Sequence, residues 1–310
     1  MSPRLTTRFA AQRHLSTTAP LNELITGFTP SPGNKLSGTI SPHWLQGTST
    51  FGGCSAALCL LGARHLLAEE NLLPLRSAQV TFMGAAGGQV SVGGEILRRG
   101  KSSAFVQSAV RSDDTAAGLA TLSTFVFGKA RASSVNASYV PTPPDSLPPA
   151  EACPTIADTL ASTFPGFAPT FLDNFEIRVA QRGRINAAPE ASVNWYYVRH
   201  KLGSDAGGVD GVPLEVSLLA LADVPPPALL LLLPKTDKAA PNVSSLTWQV
   251  DVLDELDARP STPGGWWLLS GCTENARFGY SAASMTLWGA RDDWERGPLL
   301  AARQTIAVYL

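Results

Sequence analysis

The chain has 310 residues, enough for two domains of ordinary size or one fused pair, and at 44% hydrophobic and 16% charged it can bury a large core. Lys+Arg at 24 against Asp+Glu at 25 leaves a net charge of −1, without the basic surplus that nucleic acid requires. The longest apolar run, Ala228 to Leu233 between Pro227 and Pro234, is far below the roughly 20 residues that span a bilayer as a helix. No nucleic-acid partner and no membrane span are therefore expected.

Residues 1–20 read as a tail. Arg4, Arg8 and Arg13 without an acid give it some transit-peptide character, but it lacks a clear apolar face. The location expected is cytoplasmic, with organellar targeting by this tail as the competing reading. Ser37 to Leu45 predicts a first strand, and Gln46 to Gly53 a loop. Cys54 to Leu67 is almost unbroken apolar, and a helix apolar on all sides must be buried by several elements. Alternation then predicts strands over Ser77–Met83, Gln89–Arg98, Ser102–Arg111 and Gly118–Phe127, with turns at Gly87-Gly88, Arg99-Gly100-Lys101 and Ser112-Asp113-Asp114. The proline-rich stretch from Tyr139 to Pro149 predicts a stiff, extended linker. The chain accordingly divides into tail 1–20, first unit 21–137, linker 138–154 and second unit 155–310. In the second unit, strands at Phe171–Val179 and Asn194–Lys201 precede a glycine-rich loop carrying Asp205 and Asp210. A helix follows over Pro213–Ala222, with proline at its favoured first position and Pro225-Pro226-Pro227 ending it. Strands close the chain at Ser245–Leu253, Gly265–Thr273, Gly279–Gly289 and Leu299–Tyr309.

The two halves repeat. Gly87-Gly88, Gly100-Lys101-Ser102, Arg111-Ser112-Asp113-Asp114 and Gly118-Leu119 lie in the same order as Gly264-Gly265, Gly279-Tyr280-Ser281, Arg291-Asp292-Asp293 and Gly297-Pro298. A repeat on this scale is a statement about architecture. It predicts an α+β chain of two tandem units, each a central helix wrapped by an antiparallel sheet, with the sheets free to join edge to edge and so hide their edges.

Phe51-Gly52-Gly53 opening the first helix, and Leu97-Arg98-Arg99-Gly100-Lys101-Ser102 at a strand turn, resemble the corresponding motifs of the double-hotdog acyl-CoA thioesterases. Trp267-Leu268-Leu269 through Val308 resembles that family's last strands, and Phe171-Leu172-Asp173-Asn174-Phe175-Glu176 looks like the start of the second unit in its fungal thioesterase-like branch. The likeness covers about residues 35–310. It implies a double-hotdog fold and hydrolysis of an acyl-CoA or of a carrier-bound, polyketide-type acyl thioester from secondary metabolism. Carried over by position, the family's catalytic Asp falls on Thr247, its Thr on Asn275, and its Gln on Thr305 with Gln304 beside it. The Gln that follows Gly-Gly in the first unit is Cys54.

Hydrolysis needs a base for water and donors for an oxyanion. The donors are available in free N–H groups at the helix start, which Gly52 and Gly53 leave open to a carbonyl; these glycines equally suit close packing. A base is not evident, since Thr247, Asn275, Gln304 and Thr305 cannot take a proton near neutral pH. His43 and Trp44 stand where they can approach the first helix start, Asp210 (or Asp205) can supply a carboxylate, and Cys54 is a thiol at a helix N-terminus. His65 and His200 read as structural, His200 as solvent-facing. Without a base, the rival reading is a non-hydrolytic isomerase, dehydratase or cyclase, a pericyclase included, acting on a hydrophobic metabolite in the same cavity. A third reading is an acyl-binding protein without catalysis. No metal site or cofactor is indicated by the spacing of Cys and His. The partner expected is a hydrophobic small molecule or acyl thioester, and self-association into a homo-oligomer is compatible with the sequence.

Overall fold

The unbroken apolar stretch after Phe51 forms a buried helix, and both halves of the chain are arranged around it and its counterpart. The computed structural model describes residues 18–67, 73–112, 118–135, 137–138, 140–164, 169–184, 192–204, 207–232, 242–256 and 263–309. The tail before residue 18, the Asp113-Asp114 turn and Asp205 lie outside the described residues.

The first half contains a short helix α1 (Leu21–Thr26), strands β1 (Thr29–Ser31) and β2 (Lys35–Ile40), a 3-10 turn at Pro42–Trp44, and a two-stranded ribbon of β3 (Leu45–Gln46) and β4 (Ser49–Thr50). The central helix α2 (Gly52–Leu66) follows, then β5 (Leu75–Phe82), β6 (Gly88–Arg99), β7 (Ser103–Ser112) and β8 (Leu119–Gly128). The second half contains α3 (Ile156–Thr163), β9 (Phe175–Gln181), β10 (Asn194–His200), α4 (Leu214–Ala222), α5 (Ala228–Leu232), β11 (Asn242–Val252), β12 (Trp267–Arg277), β13 (Tyr280–Trp288) and β14 (Leu300–Tyr309). The expected strand over 37–45 is broken at Pro42, which starts the 3-10 turn, and the one over 171–179 begins as a 3-10 turn at Thr170–Asn174. None of the described helices is long and apolar enough to cross a membrane.

Twelve strands form one sheet in the order β1-β2-β6-β7-β8-β5-β11-β14-β13-β12-β10-β9. This order is a palindrome in which β5 answers β11, β8 answers β14, β7 answers β13 and β6 answers β12. The halves meet where β5 pairs antiparallel with β11, Gln79 opposite Gln249. Irregularities recur at matching places. A bulge between Leu75 and Ser77 in β5 answers one between Ser245 and Thr247 in β11, and a bulge between Ile96 and Arg98 in β6 answers one between Thr273 and Asn275 in β12. These bulges fix the equivalence of the halves residue by residue. The turn glycines Gly100 and Gly279, which the sequence overlay superposes, stand two positions apart in it. The result is the double-hotdog arrangement, with α2 and α4 packed together inside one curved sheet.

Small residues set how closely these layers approach. A Cβ on Gly53 would lie 2.5 Å from the carbonyl oxygen of Ala220 in α4, and one on Gly62 would lie 2.6 Å from Val92 in β6. At the other end of the helix pair, Arg64 of α2 forms an ion pair with Glu215 in the first turn of α4. His200 is buried rather than solvent-facing: its Nε2 lies 3.0 Å from the carbonyl of Ser217, and burial pushes its pKa down to about 4. The proline-rich stretch also does more than space the halves. Leu147, Ala150 and Cys153 pack with Trp195, Tyr197, Trp266, Leu268, Trp288 and Trp294 on the outer face of the second half's sheet.

Gly53→Ala forces a methyl against the α4 backbone, and overpacking of this kind typically costs about 1–3 kcal/mol. The expected outcome is a clear fall in thermal midpoint, with Gly87→Ala as the control, since a Cβ there meets nothing nearer than Leu45 Cδ2 at 3.5 Å, an ordinary contact.

Candidate functional site

Helix α2 begins without a cap of its own. Its N-cap residue is Phe51, no side chain caps it, and its first turn holds no acid. The first-turn N–H groups and the positive end of the helix dipole are thus open to an outside anion. Asp223 supplies it. This residue stands just past the C-terminus of α4, where Pro225-Pro226-Pro227 stop the helix, and its carboxylate accepts a hydrogen bond from the backbone N–H of Gly53. Gly52 makes room for it, since a Cβ there would lie 2.5 Å from Asp223 Oδ2.

Gln304 completes the arrangement from β14. Its Nε2 donates to Asp223 Oδ1 at 3.0 Å and to Ser245 Oγ on β11 at 2.8 Å. With both amide hydrogens committed, Gln304 holds Asp223 and Ser245 in fixed positions and leaves the Ser245 hydroxyl hydrogen free to donate elsewhere. Burial pushes the Asp223 pKa up to about 7, against the lowering effect of the bonds from Gln304 and Gly53. A cavity of about 40 Å³ lies against Asp223, Ser245 and Gln304, walled by Phe171, Leu172 and Leu230. That is room for a water molecule in reach of several polar groups. It adjoins a groove of about 580 Å³ running past Gln46–Thr50, Gly52, Phe82–Ala86 and Asn242–Leu246. A carboxylate poised near neutral pH, held beside a water-sized space, is a competent proton acceptor.

The structure brings only some of the sequence-derived candidates here. Gln304 is buried and turned toward the helices, while Thr305, one residue on, is exposed. Thr247 is also exposed: the bulge after Ser245 turns Ser245, and not Thr247, toward the helices. Asn275 is exposed near the end of the β12–β13 hairpin, beyond its own bulge. Gly52 and Gly53 sit at the helix start, although Gly53 also meets α4. Cys54 is fully buried and burial pushes its thiol upward, so it is no nucleophile. Trp44 is buried against Phe175, and the backbone carbonyl of the half-buried His43 accepts from Asn174 Nδ2. Asp210 is exposed in its loop. Asp223 and Ser245 were missed. One signal was available: Asp223 is the only charged residue between Val216 and Leu233, where a charge that breaks an apolar run needs a reason.

The pseudo-equivalent cleft shows what the site is not. The matched bulges place Leu75 at the position of Ser245 and Phe125 at that of Gln304, and α2 ends at Leu67 where α4 ends at Asp223. The cleft lined by Arg64, Leu75, Leu214 and Glu215 therefore lacks the three polar groups, and the Arg64–Glu215 ion pair occupies it.

Comparison with known proteins identifies the family. A family model described as the acyl-CoA thioesterase N-terminal domain matches residues 40–128, and one described as the acyl-CoA thioesterase C-terminal domain matches residues 144–308. The chain belongs to the acyl-CoA thioesterase family. Among solved structures, a conserved hot dog fold protein of unknown function from Alicyclobacillus acidocaldarius is 16% identical with a TM-score of 0.71, covering 94% of this chain and 99% of that one. A tesB protein from Mycobacterium avium subspecies paratuberculosis is 14% identical with a TM-score of 0.65, covering 94% and 100%. An acyl-CoA thioesterase II from Mycobacterium marinum is 14% identical with a TM-score of 0.63, covering 93% and 97%. At these identities the likeness is one of fold. No curated protein sequence matches the chain.

A carboxyl whose pKa is raised on folding makes the folded state the better proton binder. Its protonated form suits the fold, and stability is lost as pH rises from the unfolded value near 3.8 through about 7. Asp223→Asn should therefore be more stable than the parent at pH 8, by up to about 4 kcal/mol. The difference should vanish below pH 4, as urea unfolding at the two pH values would register.

Proposed function

We propose that the chain hydrolyses acyl thioesters at the cleft between the N-terminus of α2 and β14, with Asp223 as general base. The single observation that carries this reading is the Asp223 carboxylate, raised to about 7 and held by Gln304 and Gly53 beside a water-sized cavity. In its ionised form Asp223 takes a proton from water, which attacks the thioester carbonyl. The C–S bond breaks as the tetrahedral intermediate collapses, and the proton passes from Asp223 to the leaving thiolate. The Ser245 hydroxyl and the α2 first-turn N–H groups not used by Asp223 are the donors in reach of a developing oxyanion. The neighbouring groove has the volume for the pantetheine arm of a CoA or carrier-bound substrate. A base-free cavity was the ground for an isomerase, dehydratase or cyclase reading, and Asp223 removes that ground.

The test is cleavage of acyl-CoAs of graded length, followed by thiol release. Asp223→Asn should lower kcat by about 10²–10⁴-fold, the usual contribution of a general base. Gln304→Ala should lose about 10²-fold, while Thr247→Ala and Asn275→Ala stay at the parent rate. With Asp223 required as the anion, kcat/KM should fall tenfold per pH unit below about 7. Full activity in Asp223→Asn would overturn the assignment.

A further inference from the structure

The groove beside the reaction cavity is a slot in the sheet itself. β11 pairs with β14 from Asn242 onward, but its pairing with β5 covers only Thr247 to Asp251. β5 ends at Phe82, and the chain then bends toward β8, where the N–H groups of Met83 and Gly84 both donate to the carbonyl of Ala120, at 2.8 and 3.1 Å. Residues 242–245 of β11 are left with an open edge: on the side away from β14, no backbone hydrogen bond from the described residues reaches them. The groove of about 580 Å³ fills the gap, with this edge on one side and Phe82–Ala86 on the other. An open strand edge offers N–H donors and C=O acceptors in a row, which is the pattern an extended chain containing amides can complete.

Two buried hydroxyls border the same slot. Ser55 of α2 is 3% exposed and Thr121 of β8 is 2% exposed, and both line the groove. Neither hydroxyl makes a hydrogen bond to another described residue, whereas the neighbouring Thr50 has committed its own to the carbonyl of Ala86 at 2.6 Å. Water satisfies such groups while the groove is empty. A ligand that displaces the water keeps its affinity only by supplying donors and acceptors in its place. A plain hydrocarbon chain supplies neither; an amide supplies one of each. The slot also begins at the chemistry, because Ser245 borders both the groove and the cavity at Asp223 and Gln304. From Ser245 back to Asn242 the edge runs about 10 Å, at about 3.3 Å per residue.

We infer that the enzyme recognises the thiol half of its substrate through the amide nearest the sulfur, which pairs with the open edge of β11 at residues 242–245 and with the hydroxyls of Ser55 and Thr121. Ser55 and Thr121 are then specificity-determining residues for the leaving thiol, and the amide is the feature they select. A leaving thiol with an amide two carbons from its sulfur is accepted whether or not a nucleotide or a carrier protein follows. This inference rests on the thioesterase reading, which puts the sulfur beside Ser245 and the arm in the groove, but the recognition step can be measured without turnover.

The experiment uses hexanoyl thioesters of N-acetylcysteamine, which keeps the amide and omits the rest of the arm, and of pentanethiol, which has the same chain length without it. Binding is measured apart from turnover with the matching 2-oxoheptyl thioethers, in which a methylene separates sulfur from carbonyl and no thioester remains to be cleaved. Wild type should bind the amide thioether about tenfold more tightly than the pentyl one, with the same order in kcat/KM, the effect of one or two hydrogen bonds. Ser55→Ala and Thr121→Val, which remove hydroxyls that no other described residue uses, should each reduce the binding ratio about threefold or more. Equal affinity for the two thioethers, no measurable affinity for the amide thioether, or a ratio unchanged in both variants would refute the inference even where both thioesters are hydrolysed. An amide preference in binding that falls in the two variants, with neither thioester cleaved, would sustain it and defeat the hydrolytic reading.

Discussion

The structure depends on the meeting of two helix ends. Helix α2 starts without a cap, and α4 ends on an aspartate aimed at that start. Packing alone would bring the helices together through Gly53 and Ala220. What makes the junction chemical is that the carboxylate is taken from water and given two donors, Gln304 Nε2 and the Gly53 N–H. Burial outweighs both, so the group remains basic enough to accept a proton near neutral pH. A more generous set of donors would make a better cap and a poorer base.

That compromise is made once. The two-fold plan of the sheet offers a second cleft, with equivalent strands and equivalent bulges, but there the polar positions are Leu75 and Phe125 and the space holds the Arg64–Glu215 pair. The repeat supplies the walls of both clefts, and divergence at three positions separates a cleft with a buried carboxylate from one with a closed ion pair. The ion pair joins the same two helices at their opposite ends, so one end of the helix pair is held by a satisfied pair of charges and the other by a perturbed one. A similar division runs through the sheet. The outer face of the second half is aromatic under the proline-rich segment, while its inner face carries hydroxyl and amide groups that have no hydrogen-bond partner among the described residues.

The bulk of the fold is legible in the amino-acid order because it rests on local patterns. An apolar stretch too uniform to lie on a surface marks α2, alternation marks β5–β8 and β11–β14, and the recurring turns disclose the doubling. Where local signals compete, boundaries move, as at Pro42 and at Thr170–Asn174. His200 looks exposed between Arg199 and Lys201, but strand alternation turns its neighbours outward and leaves it facing α4.

The sequence by itself determined two tandem helix-and-sheet units, the polar glutamine near the chain end, and the glycines at the start of α2. Only the tertiary structure decided which carboxylate is buried beside Gln304 and the start of α2. Asp223 and Gln304 are 81 residues apart, and Gly53 is farther still. Carrying a motif along the strand put the acid at Thr247, because a one-residue bulge, invisible in composition or periodicity, reverses which face each later residue occupies. The base we propose comes instead from a helix end that meets the strand only after the sheet has closed around both helices. Its proton affinity is likewise a property of that enclosure, since the same aspartate in an open chain would be ionised well below pH 7.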